Sequence, residues 1–189
     1  MCCIAGRREE LPSGLMNDLG RYRRKVFVGL LGWPLCSSGD VESDEFDGPD
    51  AVYVSTQDQD GLVNGVARLL PTTAPYLLEK VFSELWLGSE LPHSAQVWEL
   101  SRFAAVNFTS AASYTQQPLE SHSARLFRHV LRIAKELGAH TLVTVSSIGM
   151  ERLLRVNGFH SMRAGPPVKL GQECLVGLVI SLDDMECVR

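Results

Sequence analysis

The sequence predicts an α/β (α+β) fold, a single domain over residues 1–189 whose mixed β-sheet is flanked by helices. Two patterns lead there. Apolar residues recur at helical spacing in two long stretches, near residues 15–30 and 118–137. Between and after them the first half reads mainly as strands, and the second alternates helix, strand, helix and strand. At 189 residues the chain is long enough to bury one proper core.

Leu15, Leu19, Tyr22, Val26 and Leu30 form the stripe of an amphipathic helix that starts after Pro12-Ser13 and ends near Gly32. Residues 34–50 are expected to be a long loop carrying Glu42, Asp44, Glu45, Asp47 and Asp50. Strands over 51–55 and 62–70, joined by Asp58-Gln59-Asp60-Gly61, make a hairpin. Pro71 to Pro75 breaks the pattern, and a short helix is expected over 79–85. Val97 to Phe103 is the next strand, followed by a Ser/Thr-rich loop over 107–117. Pro118 opens the second helix, which runs to Leu137 and is stopped by Gly138. A strand over 141–145, a helix over 150–156 ended by Asn157-Gly158, and strands over 159–163 and 174–181 complete the chain.

Composition narrows the function classes. Hydrophobic residues make up 45% and charged residues 21%, an ordinary globular balance. No run of eighteen apolar residues exists, so no membrane span is expected, and the first residues lack the apolar segment of a secretory signal. Five cysteines, at 2, 3, 36, 174 and 187, are odd in number and contain no C-x-x-C pair. They suit a reducing cytoplasm better than a disulfide framework or zinc site. The five histidines show no metal spacing, and no metal is expected. Residues 1–117 carry 9 basic and 15 acidic side chains, whereas residues 118–169 carry 8 and 3. A basic segment in an acidic chain points to an anionic partner. The pI of about 5.7 and the lack of an aromatic-interleaved basic strand argue against nucleic acid.

Charge sits beside apolar residues in three places: Arg23-Arg24-Lys25-Val26-Phe27, Arg68-Leu69-Leu70-Pro71-Thr72-Thr73, and Glu99 and Arg102 within Val97–Phe103. A strand with Trp98, Leu100 and Arg102 on one face and Glu99, Ser101 and Phe103 on the other must pair both charges or line a cleft with them.

These stretches, taken in order with Trp33, Asp44-Glu45-Phe46-Asp47, Pro75-Tyr76-Leu77-Leu78 and Phe82, resemble the LuxI-type acyl-homoserine-lactone synthases, the autoinducer synthases of bacterial quorum sensing. Val143-Thr144-Val145 and Gly149-Met150-Glu151-Arg152 extend the likeness toward the C-terminus. The resemblance implies an acyltransferase with an N-acetyltransferase-like fold and splayed central strands. It implies a cytoplasmic bacterial enzyme with two substrates, S-adenosyl-L-methionine and an acyl chain on acyl carrier protein. Adenosylmethionine is then a substrate, and no cofactor is expected; no glycine-rich nucleotide fingerprint follows any strand.

The implied chemistry assigns candidates. The amine of adenosylmethionine must lose a proton before it attacks a thioester. Glu99 is the candidate acceptor, with Ser101 on the same side of its strand; simple neutralisation of a neighbouring arginine stands level with that role. Arg23, Arg68 and Arg102 against Asp44 and Asp47 make an ion-pair network that orders the 34–50 loop, and guanidinium forks also suit a substrate carboxylate. Glu42, Glu45 and Asp50 read as a solvated loop face. Phe27, Trp33 and Phe82 are candidates to wall the adenosyl pocket and meet the sulfonium, against the commoner reading as core aromatics.

The acyl chain is expected along Leu100, Phe103, Leu142, Thr144 and Met150. A hydroxyl at Thr144 needs a partner, ordinarily a backbone carbonyl, while the resemblance links such a threonine with 3-oxo chains. Arg125, Arg128, Arg132 and Lys135 share a helix face. With Arg152 and Arg155 that face is a candidate dock for acidic acyl carrier protein, a transient electrostatic contact, although a solvated face is the ordinary reading of any one residue. Two rivals remain: an N-acyltransferase using acyl-CoA and another amine, and a non-catalytic relative that binds the carrier. Absence of a Q/R-x-x-G-x-G/A loop before residue 118 weighs against the first, and the retained Glu99, Arg102, Arg68, Asp44 and Asp47 against the second.

Overall fold

The computed structural model describes residues 2–35, 37–87, 90–108, 121–171 and 173–183. They divide into two compact units, Met1–Arg68 with Arg102–Val130, and Leu69–Ser101 with Leu131–Arg189. The fold is of the α/β class, with a mixed sheet and flanking helices.

The first unit opens with β1 (Cys2–Arg7) and helix α1 (Leu15–Arg23), which continues as a π-helical segment over Arg24–Leu30. Next come a small hairpin of β2 (Ser37–Ser38) and β3 (Val41–Glu42), then β4 (Val52–Gln57) and most of β5 (Val63–Pro71), whose residues 69–71 belong to the second unit. β1 pairs antiparallel with β4, and β5 flanks β4 on its other edge. The turn before β5 closes as expected: Asp58 Oδ1 accepts from the amides of Asp60 and Leu62.

The helical stripe holds through Leu15, Leu19, Tyr22 and Val26, all buried. Its last member does not, because Leu30 is 60% exposed. From Arg24 the backbone bonds lengthen by one residue, with the Leu31 amide on the Val26 carbonyl, so the four-residue spacing no longer returns Leu30 to the core.

The Tyr22 hydroxyl is a local anchor. Its one proton is shared between the carbonyls of Asn64 and Val106, at 2.9 and 3.0 Å, and its oxygen accepts from the Val106 amide at 2.7 Å. Burial pushes the phenol from its ordinary 10.0 up to about 12, although the Val106 contact opposes the rise. A raised phenol gives stability that is whole below pH 10.0 and is lost as pH climbs toward about 12. Tyr22→Phe is expected to cost about 1–3 kcal/mol in urea unfolding at pH 7 and to remove that alkaline slope.

The second unit contains α2 (Leu77–Val81), a 3₁₀ turn at Ser83–Leu85, the first part of β6 (Val97–Ala104) and the end of α3 (His122–Glu136). β7 (Thr141–Ser147), α4 (Ile148–Val156), β8 (Met162–Arg163), β9 (Val168–Leu170) and β10 (Glu173–Ser181) complete it. The strand order is β6-β7-β10-β8, with β9 also on β10. β6 and β7 are parallel and pair only from Val97–Thr141 to Leu100–Thr144, short of the ends of both strands, as splayed central strands require. The backbone of the 3₁₀ turn lies directly on β10, where a Cβ at Gly177 would come within 2.8 Å of the Leu85 carbonyl oxygen.

Several sequence expectations need correction. The 34–50 loop contains the β2–β3 hairpin, β1 and β9 were not foreseen, and the strand expected over 159–163 shrinks to Met162–Arg163. The expected start of the second helix at Pro118, most of the 107–117 loop, Cys36 and Cys187 lie outside the described residues. Among the described residues no helix is long and apolar enough to cross a membrane.

Candidate functional site

In the first unit, the charged residues singled out in the sequence converge. Arg23 stands where α1 passes into the π-helical segment, Arg68 on β5, and Arg102 on β6. The carboxylates come from a turn that shapes itself. Asp44 Oδ1 accepts from the Phe46 amide, Asp47 Oδ2 accepts from the Asp44 amide, and the Asp47 amide donates to the Asp44 carbonyl.

Arg23 grips Asp47 with Nη1 at 2.7 Å and Nη2 at 3.1 Å, and donates through Nε to Glu42. Arg68 places Nη1 2.8 Å from Asp47 Oδ1 and Nη2 3.0 Å from Asp44 Oδ2. Arg102 donates to Glu42 Oε1 at 3.1 Å and lies 2.7 Å from Asp44 Oδ2. Three guanidinium groups thus meet three carboxylates, with no net charge. Asp44 is the most exposed of them, at 18%.

Burial alone would push the Asp47 carboxyl up. The Arg23 hydrogen bond and charge, with the Arg68 charge, instead hold it well below the ordinary carboxylate range. Burial works against the charge on Arg23 as well, but Asp47 and Glu42 keep it protonated. The Tyr53 hydroxyl donates to Asp47 Oδ1 at 2.8 Å, and its phenol is pushed up first by burial and then by the Asp47 charge. Buried charges survive only when paired and hydrogen-bonded on every side, as these are.

Glu42 corrects the sequence reading. A solvated acidic loop was expected there, but its side chain has 0% exposure and bridges Arg23 and Arg102. Glu45 and Asp50 stay on the surface. No local pattern marks it: Val41-Glu42 is a two-residue strand packed on α1, with buried Glu42 beside Gly20.

Arg102 has a φ of +50°, and no other described non-glycine residue has a positive value. Holding an L-residue there costs about 1–2 kcal/mol, and it interrupts the strict two-residue alternation assumed for Val97–Phe103. Its guanidinium lies 5.7 Å from the Phe27 ring centre. Trp33 stacks on the same ring at 5.0 Å and 22°. Phe27 is itself buried, which makes it the backing of half-buried Trp33. Phe82 belongs to the second unit and is half-buried.

Of the catalytic and acyl-chain candidates that remain, Phe103 lies in the first unit, where it meets Phe127 edge-on, and the others lie in the second. Glu99 is fully buried on β6, and its two oxygens accept from the amides of Leu77 and Leu78, at 2.8 and 2.6 Å. It therefore fixes the first turn of α2. Ser101 is buried on the same strand. Leu100 stands beside Thr144 in the β6–β7 register, and Trp98 beside Leu142. The Thr144 hydroxyl reaches the Val145 carbonyl at 3.4 Å. The Met150 amide donates to Ser147 Oγ, which caps α4.

The sequence profile described as autoinducer synthase matches residues 8–189. An acyl-homoserine-lactone synthase of Acinetobacter nosocomialis is 44% identical over 171 residues, 90% of this chain and 93% of that protein. Among solved structures, TofI in a ternary complex with an inhibitor and MTA is 39% identical, with a TM-score of 0.82 over 96% of this chain and 92% of that one. The acyl-homoserine-lactone synthase LasI is 34% identical, with a TM-score of 0.84 over 96% and 89%.

The chain belongs to the autoinducer synthase family.

It is an acyltransferase of the acyl-homoserine-lactone synthase type, and its N-acetyltransferase-like fold is the one these synthases share. The basic helix of this synthase is less uniform than its spacing suggests. Arg128 is exposed, and Arg132 pairs with Glu136 one turn on at 2.7 Å. Arg125 is half-buried, with its Nε enclosed and without a hydrogen-bond partner among the described residues. On α4, Arg152 is exposed, while Arg155 lies 3.8 Å from Glu151, which Arg163 also holds.

Proposed function

We propose that this synthase acylates S-adenosyl-L-methionine with an acyl chain delivered by acyl carrier protein and then closes the lactone. The observation that carries the reading is the buried network of Arg23, Arg68, Arg102, Asp44 and Asp47, with Trp33 stacked on its Phe27 wall. A rigid, neutral set of forks and carboxylates suits a substrate that carries ammonium, carboxylate and sulfonium together. Asp44 offers the accessible anion, Arg102 the guanidinium for the carboxylate, and the Trp33 face a surface for the sulfonium, a contact worth about 0.5–2 kcal/mol. MTA is the ligand named with TofI, and methylthioadenosine is the leaving group that this chemistry requires.

In the first step the free amine attacks the thioester carbonyl. A C–N bond forms, the C–S bond breaks, and the carrier leaves as a thiol. The amine enters as an ammonium: one proton passes to solvent through a base before the attack, and a second goes to the departing sulfur to give the thiol. Glu99 is that base, sharing with the substrate an oxygen now turned to the α2 amides. In the second step a carboxylate oxygen attacks the γ-carbon, the carbon–sulfonium bond breaks, and methylthioadenosine departs as a neutral thioether. Holding the two atoms together supplies much of that barrier's reduction.

Leu100, Phe103, Leu142, Thr144 and Met150 form the acyl path in this reading. Exposed Arg128, Arg132, Arg152 and Arg155, with Arg125, attract the acidic carrier. The whole chain serves as one synthase domain, working in the bacterial cytoplasm to make a quorum-sensing signal.

The test supplies purified protein with adenosylmethionine and either a carrier or a CoA thioester. Thiol and methylthioadenosine are expected in equal amounts with the carrier, at a rate that falls as salt rises. Thiol without methylthioadenosine would mark a plain acyltransferase, and a faster, salt-insensitive reaction with CoA would replace the donor.

A further inference from the structure

Glu42 is the most enclosed carboxylate of the network and the one that the sequence left to solvent. Its Oε2 accepts from Arg23 Nε, and its Oε1 accepts from Arg102 Nε at 3.3 Å and Nη2 at 3.1 Å. It therefore holds Arg102 along the Nε–Nη2 edge of the guanidinium, and Asp44, more open to solvent, meets the same Nη2 at 2.7 Å. A planar fork pinned along one edge is fixed in its plane, and its far end stays free to exchange partners. Arg102 needs such a hold because its backbone occupies a conformation that favours glycine.

Delivery of Glu42 depends on α1. A Cβ at Gly20 would collide with Val41 Cγ1 and come within 3.2 Å of the Glu42 carbonyl oxygen. The bare backbone lets β3 lie against the helix, three residues before Arg23 on the same helix. A side chain there must lift β3 and carry the Glu42 carboxylate off both arginines.

We propose that Glu42 is a positioning residue for this synthase, fixing the Arg102 guanidinium, and that the notch at Gly20 sets where Glu42 stands. The role rests on the reading that Arg102 engages adenosylmethionine. A glutamine at 42 retains one acceptor oxygen and turns an amide N–H₂ toward the other arginine, so one of the two holds is lost.

Glu42→Gln is expected to raise KM for adenosylmethionine about 10-fold while KM for the acyl donor stays within about twofold. Gly20→Ala should reproduce the selective rise, and Gly20→Ala with Val41→Ala should reverse it by freeing the space the new methyl needs. A structural role alone would lower kcat or the active fraction with both KM values unmoved, and that result overturns the proposal. So does a double variant no better than Gly20→Ala alone. If Glu42→Gln does not fold, the Gly20 pair decides.

A readout independent of turnover is the Arg102 Nε–H resonance in ¹⁵N-labelled protein, identified by its loss in Arg102→Lys. It should shift in Glu42→Gln and Gly20→Ala and return in the double variant; an unmoved resonance overturns the proposal. Wild-type protein that releases no methylthioadenosine would sink the catalytic reading while leaving this resonance test intact.

Discussion

Arg23→Met is expected to destabilise the protein by about 3–5 kcal/mol, toward the upper end of what a single substitution does. The side chain is 2% exposed and holds Asp47 with two nitrogens and Glu42 with a third. Methionine fills much the same volume but leaves two buried carboxylates each short of one guanidinium, and under-pairing a buried charge costs far more than losing a surface pair. Urea unfolding at pH 7 measures the loss, with Arg21→Met as the comparison. Arg21 meets Asp40 at the surface with 52% of its side chain exposed, so its midpoint should hardly move. Equal midpoints for the two variants would refute the network as a stabilising unit.

The pH dependence has a definite sign. Asp47 is held below its ordinary range in the folded state, so its contribution is complete above the unfolded value and fades as pH falls through the lower folded one. Asp47→Asn should flatten that acid limb, and in Arg23→Met the fade should begin at higher pH.

Glu99→Gln is expected to lower kcat by about 10²-fold or more, the scale of a lost general base. It should leave KM for adenosylmethionine within about twofold, because uniform binding is untouched. The same change also tests the cap. Glutamine can present one oxygen to the Leu77 or Leu78 amide but offers N–H₂ to the other, which costs about 1–3 kcal/mol of stability. The two effects separate by measurement, since kcat per folded molecule reports the base and the urea midpoint reports the cap. A stability loss with kcat unchanged would leave Glu99 a helix-capping residue and nothing more.

Much of the fold was legible because its signals are local. The α1 stripe, the Asp58–Gly61 turn and the Gly138 stop each follow from periodicity or turn chemistry within a few residues. β1 was missed because Cys2–Arg7 is short and only partly buried, and its partner β4 lies some fifty residues on. β9 is three residues long, and Val168-Lys169-Leu170 is too short a run for its alternation to single it out. In the site, Arg23, Arg68 and Arg102 were recognisable as charges beside apolar runs, and Asp44 and Asp47 through the family resemblance. Glu42 was not, because its burial comes from the packing of β3 on Gly20, which neither neighbour announces. The left-handed backbone of Arg102 was equally silent, since alternation assumes regular strand angles throughout.

The π-helical segment after α1 behaves as if one extra residue had been slipped into an ordinary helix. Its repair would accordingly be a deletion. Excising one residue between Phe27 and Leu30 would restore four-residue bonding and a smoother backbone, yet it would swing everything downstream by about 100°. Trp33 would then turn away from Phe27, and the two rings would no longer stack. Homologues that differ in length at this point should therefore differ in their aromatic wall, whatever their overall similarity.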